Sequence, residues 1–217
     1  VFQPLKYGIK NDVEISIHPI LFLIMPNFSI KKYHKNFNNI GISSRYGINY
    51  PTYIINLLKK DGIGGFLSNE NNIKKVPHFL TLHGEILATQ GNSNHSITTK
   101  IGATICSGSN LDERDIIEYD LIYPRMAIYK YGWGTNIGID WNYNFLHNLR
   151  FKSDLDLLLI KEEKPFIEHK LIIDYSLSDN IILSSGYKLS YGYYPFNIKT
   201  GLFNLFPIID IKWKWKK

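Results

Sequence analysis

Hydrophobic and polar residues alternate with a period of two along most of the chain, most regularly in its C-terminal half. From Trp133 to Phe145, one set of alternate positions is almost wholly apolar or aromatic, and the other holds only Gly, Asn and Asp. A period of two puts successive side chains on opposite faces of a β-strand. The pattern predicts amphipathic strands at 13–25, 28–35, 40–50, 80–89, 97–105, 133–145, 149–159, 167–177, 181–193 and 209–215.

The connections between these strands are short and long in alternation. Short polar turns fall near 90–94, 146–148 and 178–180, and long connections near 51–77, 108–126, 161–165 and 195–204. This order predicts an all-β, up-and-down antiparallel meander that forms a single domain over residues 1–217. Pro51 suits a first helical turn and Gly62 a helix end, so we expect one short helix at 53–60 in a long connection.

An amphipathic sheet must cover its apolar face, with protein in a soluble barrel and with lipid in a membrane barrel. Two features favour the membrane. The predicted strands exceed the usual 5–6 residues of soluble sheets, and aromatic residues gather at strand ends with aliphatic ones between them. The predicted membrane-interface girdle is Trp133, Trp141, Tyr143, Tyr175, Tyr191, Tyr193, Trp213 and Trp215. A soluble lipocalin-like ligand-binding barrel is the alternative.

This pattern, over most of residues 10–217, resembles the small outer-membrane β-barrel proteins of Gram-negative bacteria. The segment 208–215 looks like the terminal strand that barrel assembly machinery recognises, although Lys216 and Lys217 follow its last aromatic residue. The resemblance implies a transmembrane barrel in the bacterial outer membrane, with a signal peptide already removed. Such barrels have an even number of strands, and we expect about ten, with eight or twelve as alternatives.

The polar faces of the predicted strands would line the interior of the barrel, and their charges balance in sign. In a barrel of this size the interior is narrow, so we expect these side chains to pair with one another, because unpaired buried charge is costly. The predicted interior charge network is Arg45, Glu85, Lys100, Asp140, Arg150, Lys152, Asp154, Asp156, Glu168, Lys170, Asp174, Lys188, Asp210 and Lys212.

The net charge of +6 therefore resides in the connections and chain ends, where anionic headgroups, including lipopolysaccharide, are natural partners. Basic residues do not interleave with stacking aromatics on one face, so we expect no nucleic-acid partner. A metal site would need clustered ligands, and the acidic residues of 112–118 are better explained as a solvated loop. No cofactor is expected.

We expect the chain not to be an enzyme, with a lipid hydrolase or acyltransferase as the alternative. Hydrolysis by serine needs a Ser activated by a His. His83, His95 and Ser96 are the nearest local group, but the last two fall on a short turn. His169 falls on the apolar face, where its expected cross-strand neighbours, Leu157 and Leu189, include no Ser.

The two longest connections, 51–77 and 108–126, are too apolar for free loops and are expected to cover the barrel mouth or bind other envelope proteins. The preferred function is accordingly a subunit of an outer-membrane complex for assembly, secretion or transport. A narrow, porin-like channel is the alternative within the same fold.

Overall fold

One antiparallel sheet makes up almost all of the described structure. The computed structural model describes residues 4–53, 78–108, 126–161, 163–193 and 201–213, and within them eleven strands pair in sequence order. The strands are β1 (Leu5–Lys10), β2 (Val13–Ile17), β3 (Asn27–Phe37), β4 (Ile40–Asn49), β5 (Leu80–Gly91), β6 (His95–Ser107), β7 (Trp133–Leu146), β8 (Leu149–Ile160), β9 (Phe166–Ser176), β10 (Ile181–Tyr193) and β11 (Gly201–Trp213). The predicted all-β up-and-down meander is therefore confirmed.

Two short helices accompany the sheet in this part of the chain, α1 (Pro19–Ile24) and α2 (Met126–Tyr131). Helix α2 ends at Gly132, whose φ of 84° is a conformation that glycine adopts readily. The Gly132 N–H donates to the Ile128 carbonyl at 2.8 Å, which closes the helix before β7 begins. Among the described residues, no helix is both long and apolar enough to cross a membrane.

The two ends of the sheet differ in the length of their connections. At the short-turn end, β3 joins β4 through Asn38 and Asn39, both with positive φ, as a tight two-residue hairpin requires. The β5–β6, β7–β8 and β9–β10 turns lie at the same end. The opposite, long-connection end carries both helices and the segments between β4 and β5 and between β6 and β7.

The sheet exposes its apolar face and buries its polar face. In β7, Trp133, Ile137 and Ile139 are exposed, whereas Asn136 and Gly138, which alternate with them, are buried. A soluble barrel has the opposite arrangement, with apolar side chains inside. The apolar outer face and polar inner face are those of a sheet surrounded by lipid, so the lipocalin-like alternative does not fit.

The predicted strand number was wrong: the described residues form eleven strands rather than ten, and their sheet is not closed between β1 and β11. The additional strand is β1. The predicted strand 13–25 ends early: residues 19–24 form α1 instead, because Pro19 suits a first helical turn and a short apolar run fits either structure. The predicted helix at 53–60 lies, except for Tyr53, outside the described residues.

The last strand also begins earlier than predicted. β11 starts at Gly201 rather than Ile209 and includes Pro207, which pairs in register with Tyr187. Proline has no backbone N–H for a ladder bond and is tolerated mainly in edge strands. Within the described sheet β11 is such a strand.

A small apolar core closes part of the inner face at the long-connection end. Ile128 of α2 packs with Leu158, Ile160 and Phe166, all at most 5% exposed. Gly134 of β7 makes room for the helix, since a Cβ there would lie 3.1 Å from the Ile128 side chain. The segment before β7 therefore folds over the inner face rather than away from it.

Ile137 tests whether the outer face contacts lipid, because it lies midway between Trp133 and Trp141 on β7. The variant Ile137→Lys should lower the free energy of unfolding in lipid vesicles by about 2–4 kcal/mol, the cost of a lysine near the bilayer midplane. Equilibrium urea unfolding measures this change. His147→Lys, in the exposed β7–β8 turn, is the control and should have little effect; equal effects of the two variants would contradict a lipid-facing surface.

Candidate functional site

Lys100 is the centre of the largest ion-pair cluster on the inner face. It projects from β6 and is 7% exposed, and its Nζ lies 2.7 Å from Asp140 Oδ1 and 3.0 Å from Asp156 Oδ1. A third ion pair joins the same Nζ to Asp154. One ammonium group therefore ties β6 to β7 and β8.

Asp174 of β9 is the centre of a second cluster, in which one carboxylate contacts two lysines rather than one lysine contacting several carboxylates. Its carboxylate accepts from Lys212 Nζ at 2.6 Å and Lys152 Nζ at 2.7 Å. The Ser184 hydroxyl donates to it at 2.6 Å. The three partners lie on β11, β8 and β10, so this cluster links four strands.

Two further pairs extend the network in both directions around the sheet. Arg45 Nη1 lies 3.0 Å from Glu85 Oε2, and the Asn136 amide donates to the other oxygen of that carboxylate at 3.2 Å. Lys188 Nζ lies 3.0 Å from Glu168 Oε1. The structure therefore places eleven of the fourteen predicted network residues in ion pairs.

The other three residues, Arg150, Lys170 and Asp210, form no ion pair with any described residue. The Arg150 Nε–H donates instead to Asn144 Oδ1 at 2.6 Å. Asp210 lies on β11, and its buried Oδ2 accepts no hydrogen bond from the described part of the chain. A buried carboxylate oxygen without a donor is costly, and Asp210 is the one carboxylate of the predicted network without an ion pair among the described residues.

The predicted girdle residues that the structure describes are on the outer face, at the strand ends expected for them. Trp141, Tyr143, Tyr175 and Trp213 lie toward the short-turn end, and Trp133 and Tyr191 toward the other; all six are exposed. The Trp141 ring stacks on Tyr143 at 5.9 Å between centroids, and Tyr143 contacts Phe145 at 6.3 Å. Trp215 and the Tyr193 side chain lie outside what the structure describes.

A polar cluster interrupts the apolar outer face on β8, β9 and β10. Ser153 Oγ lies 3.0 Å from His169 Nε2, and the Tyr187 hydroxyl lies 3.2 Å from His169 Nδ1. The sequence-based expectation that no Ser neighbours His169 was wrong. The β8–β9 register pairs His169 with Leu155 rather than Leu157. This shift of two residues places Ser153 on β8 diagonally across from His169 on β9, within reach of its ring.

The other candidate histidines do not form a catalytic arrangement. His83 Nδ1 lies 2.9 Å from Thr104 Oγ1 on the inner face. His95 and Ser96, at the start of β6, share no side-chain hydrogen bond. No group of three His, Cys, Asp or Glu side chains in the described ranges is placed to hold a metal ion, and residues 112–118 lie outside those ranges.

Cavities at the short-turn end open onto the inner face. One of about 500 Å³ is lined by Asn94, His147, Arg150 and Asp174, among others. A second, of about 340 Å³, shares Asn94, Asn144 and Arg150 with the first and adds Lys152. Polar groups therefore surround the inner face at this end, in contrast to the apolar core at the other.

Comparison with known proteins shows what this fold is. No protein-family model matches the chain, and no curated protein matches it. Among solved structures, it is similar to OmpT, folded in vitro, an outer membrane protein of Vibrio cholerae, with a TM-score of 0.50 and 9% sequence identity.

The chain has the fold of an outer-membrane β-barrel protein. The similarity covers 98% of this chain but 63% of OmpT, so the chain spans less than two thirds of the matched structure. The predicted resemblance to Gram-negative outer-membrane barrels is confirmed at the level of the fold. The predicted location agrees with it, since the matched protein is itself in the outer membrane.

The prediction that the chain is not an enzyme is corrected by this comparison. The likeness to OmpT shows the fold of an outer-membrane barrel, and one fold can be shared by enzymes and non-enzymes. The basis of the prediction was the lack of a Ser–His neighbour pair in the expected register. The structure contains such a pair at 3.0 Å, so a non-enzymatic role is not retained.

Removal of the Lys100 ammonium group tests the inner-face network. Lys100→Ala would leave three buried or half-buried aspartates without their cation, and we expect a loss of about 3–5 kcal/mol in unfolding free energy, as when a buried ion pair loses one partner. Lys6→Ala is the matched control, because the Lys6–Glu14 pair is exposed and should contribute at most about 1 kcal/mol. Urea unfolding in lipid vesicles measures both; a Lys100→Ala effect as small as the control would show that the network does not stabilise the fold.

Proposed function

We propose that this chain is an integral outer-membrane component whose sheet is completed by a strand of another envelope protein, making it a subunit of an outer-membrane complex. The observation that carries this proposal is the open sheet: β1 and β11 each pair on one side only within the described residues. Edges of this kind do not persist in lipid, because an unpaired backbone N–H or C=O has no water to bind there. A further strand supplies the missing partners.

The direction of the two edge strands supports closure through one inserted strand. Antiparallel pairing reverses the chain at each step, and ten such steps separate β1 from β11, so the two edges run in the same direction. Direct contact between them would be parallel, which differs from every other pair in the sheet. One inserted strand would run antiparallel to both and bring the total to twelve, an even number as in bacterial barrels.

The side chains of β11 suggest which residues the proposed strand would carry. On the outer face, Ile209 is 78% exposed, compared with 49% for Ile139 in the centre of the sheet, because no neighbour covers it. On the inner face, Asp210 Oδ2 is buried and accepts no hydrogen bond from the described residues, so a donor on the inserted strand would satisfy it. The strand that fits is apolar outward and carries a Lys or Arg inward at the level of Asp210.

Pro207 does not prevent this addition. Its missing N–H interrupts the ladder at one position of β11 and leaves residues 208–213 uninterrupted. Strand addition of this kind obtains its affinity from main-chain hydrogen bonds and its specificity from alternate side chains. The connections 51–77 and 108–126 remain candidate contacts with the same or other envelope proteins, but they lie almost entirely outside the described residues. Lipid and lipopolysaccharide would surround the outer face.

A photo-crosslinking amino acid at Ile209 tests the proposed edge. In native outer membranes, we expect ultraviolet light to join position 209 to one distinct polypeptide. The same amino acid at Ile139 is the control and should give no protein adduct, because both neighbours of β7 belong to this chain. Asp210→Lys should abolish the adduct at 209 by opposing the partner's cation, whereas Asp210→Asn should reduce it less.

Two results would contradict the proposal. Adducts of the same kind from positions 209 and 139 would mean that the edge has no specific partner. An adduct with the mass of two copies of this chain would mean that the sheet closes by self-association.

A narrow channel is the second candidate, and the polar cavities at the short-turn end favour it. The ion pairs around Lys100 and Asp174 oppose it, since they fill the inner face with paired side chains. We expect no discrete conductance steps when the purified complex is inserted into planar lipid bilayers. Regular steps that change size in Lys100→Ala would favour the channel instead.

A further inference from the structure

The cluster of Ser153, His169 and Tyr187 brings three polar side chains together on the apolar outer face of β8, β9 and β10. We propose that it is a serine hydrolase site, with membrane phospholipid acyl esters as its substrates. The site is distinct from the β1 and β11 edges and does not depend on the proposed complex.

The hydrogen bonds have the order that serine activation requires. Ser153 Oγ lies 3.0 Å from His169 Nε2, within the range for transfer of the hydroxyl proton. When His169 carries its proton on Nδ1, that N–H donates to the Tyr187 hydroxyl oxygen, 3.2 Å away. This tautomer leaves Nε2 free to accept from Ser153, so Tyr187 acts as a positioning residue for the base.

The surroundings of the cluster make lipid the substrate that reaches it. The register neighbours of His169 are Leu155 and Leu189, and Ser153 pairs with Leu171 on one side. On the other side Ser153 pairs with Trp141, which belongs to the aromatic band near the short-turn end. Tryptophan rings sit at the headgroup level of a bilayer, close to the depth of phospholipid ester carbonyls.

Within the described residues, Ser185 lacks the hydrogen bond that Ser153 makes to a histidine. It also lies on the outer face, on β10, where it pairs in register with Ile173 and Ile209. No histidine adjoins it in either register. Ser185 therefore provides a lipid-facing serine without a base, in the same part of the sheet.

The reaction needs only water as a co-reactant. Ser153 Oγ attacks the ester carbonyl carbon while His169 Nε2 takes the hydroxyl proton. The ester C–O bond then breaks, and the leaving alcohol takes that proton. Water next attacks the acyl-serine, giving one proton to His169. The acyl C–Oγ bond breaks, the fatty acid departs, and the proton returns to Ser153.

Turnover is expected to be slow. Backbone N–H groups often stabilise the oxyanion in acyl transfer, but here Ser153 and His169 lie within continuous strand ladders. Covalent trapping of the serine is therefore a more sensitive measure than product release alone.

The test treats outer membranes that contain the full chain with a fluorophosphonate, which phosphonylates an activated serine and releases fluoride. Peptide mass spectrometry should find the phosphonyl group on Ser153 and not on Ser185. Ser153→Ala should abolish this label and Ser185→Ala should leave it unchanged. His169→Ala and His169→Asn should slow labelling by about 10²–10⁴-fold, the usual contribution of a general base.

Release of labelled fatty acid from phosphatidylethanolamine vesicles provides the second measure. Tyr187→Phe should lower kcat without a change in KM. The substitution removes the hydroxyl that orients His169 but does not remove any contact with the substrate. Migration of unboiled samples on gels confirms that each variant is folded. Absence of label on Ser153 in the folded wild-type chain, or equal labelling of Ser153 and Ser185, would overturn the proposal and leave the cluster with a purely structural role.

Discussion

The structure depends on one constraint, that the backbone of a segment in lipid must satisfy its own hydrogen bonds. Ten antiparallel ladders meet this constraint for the nine inner strands. The same ladders fix every side chain on one of two faces, so the alternation in the sequence becomes an apolar outer surface and a polar interior. Among the described strands, β1 and β11 each have one unpaired edge, and these are the edges to which the proposed partner strand would add.

Because side chains alternate between the two faces, strands with an apolar outer face carry their polar side chains on the inner face, where burying charge costs free energy. Charged groups that leave water need partners, and the inner face supplies them in clusters of unequal stoichiometry. Lys100 contacts three aspartates, whereas Asp174 contacts two lysines and a serine. Because each cluster spans three or four strands, the charges that could have selected solutes instead hold the sheet together. Asp210, beside the open edge, forms no ion pair with any residue that the structure describes.

The sequence predicted which residues share a face but not which residues meet across strands. Alternation is local, so the girdle residue Trp141 and the network residue Lys100 could each be assigned to a face from their neighbours alone. Register depends on the geometry of the whole hairpin. The predicted β8–β9 register differs by two residues from the observed one, so the contact between Ser153 and His169 was not predicted. The strand number failed for a different reason: β1 has only six residues and was not predicted.

Hydrogen–deuterium exchange measured strand by strand tests the central claim, that interstrand ladders protect all but the edges of this sheet. For the isolated, monomeric chain in lipid nanodiscs, slow exchange is predicted through β5 to β10, and faster exchange at β11 amides that point away from β10. In native outer membranes the same β11 amides should become protected. Protection of β11 equal to that of β7 in the isolated monomer would contradict the account, because it would mean that the chain closes its own sheet.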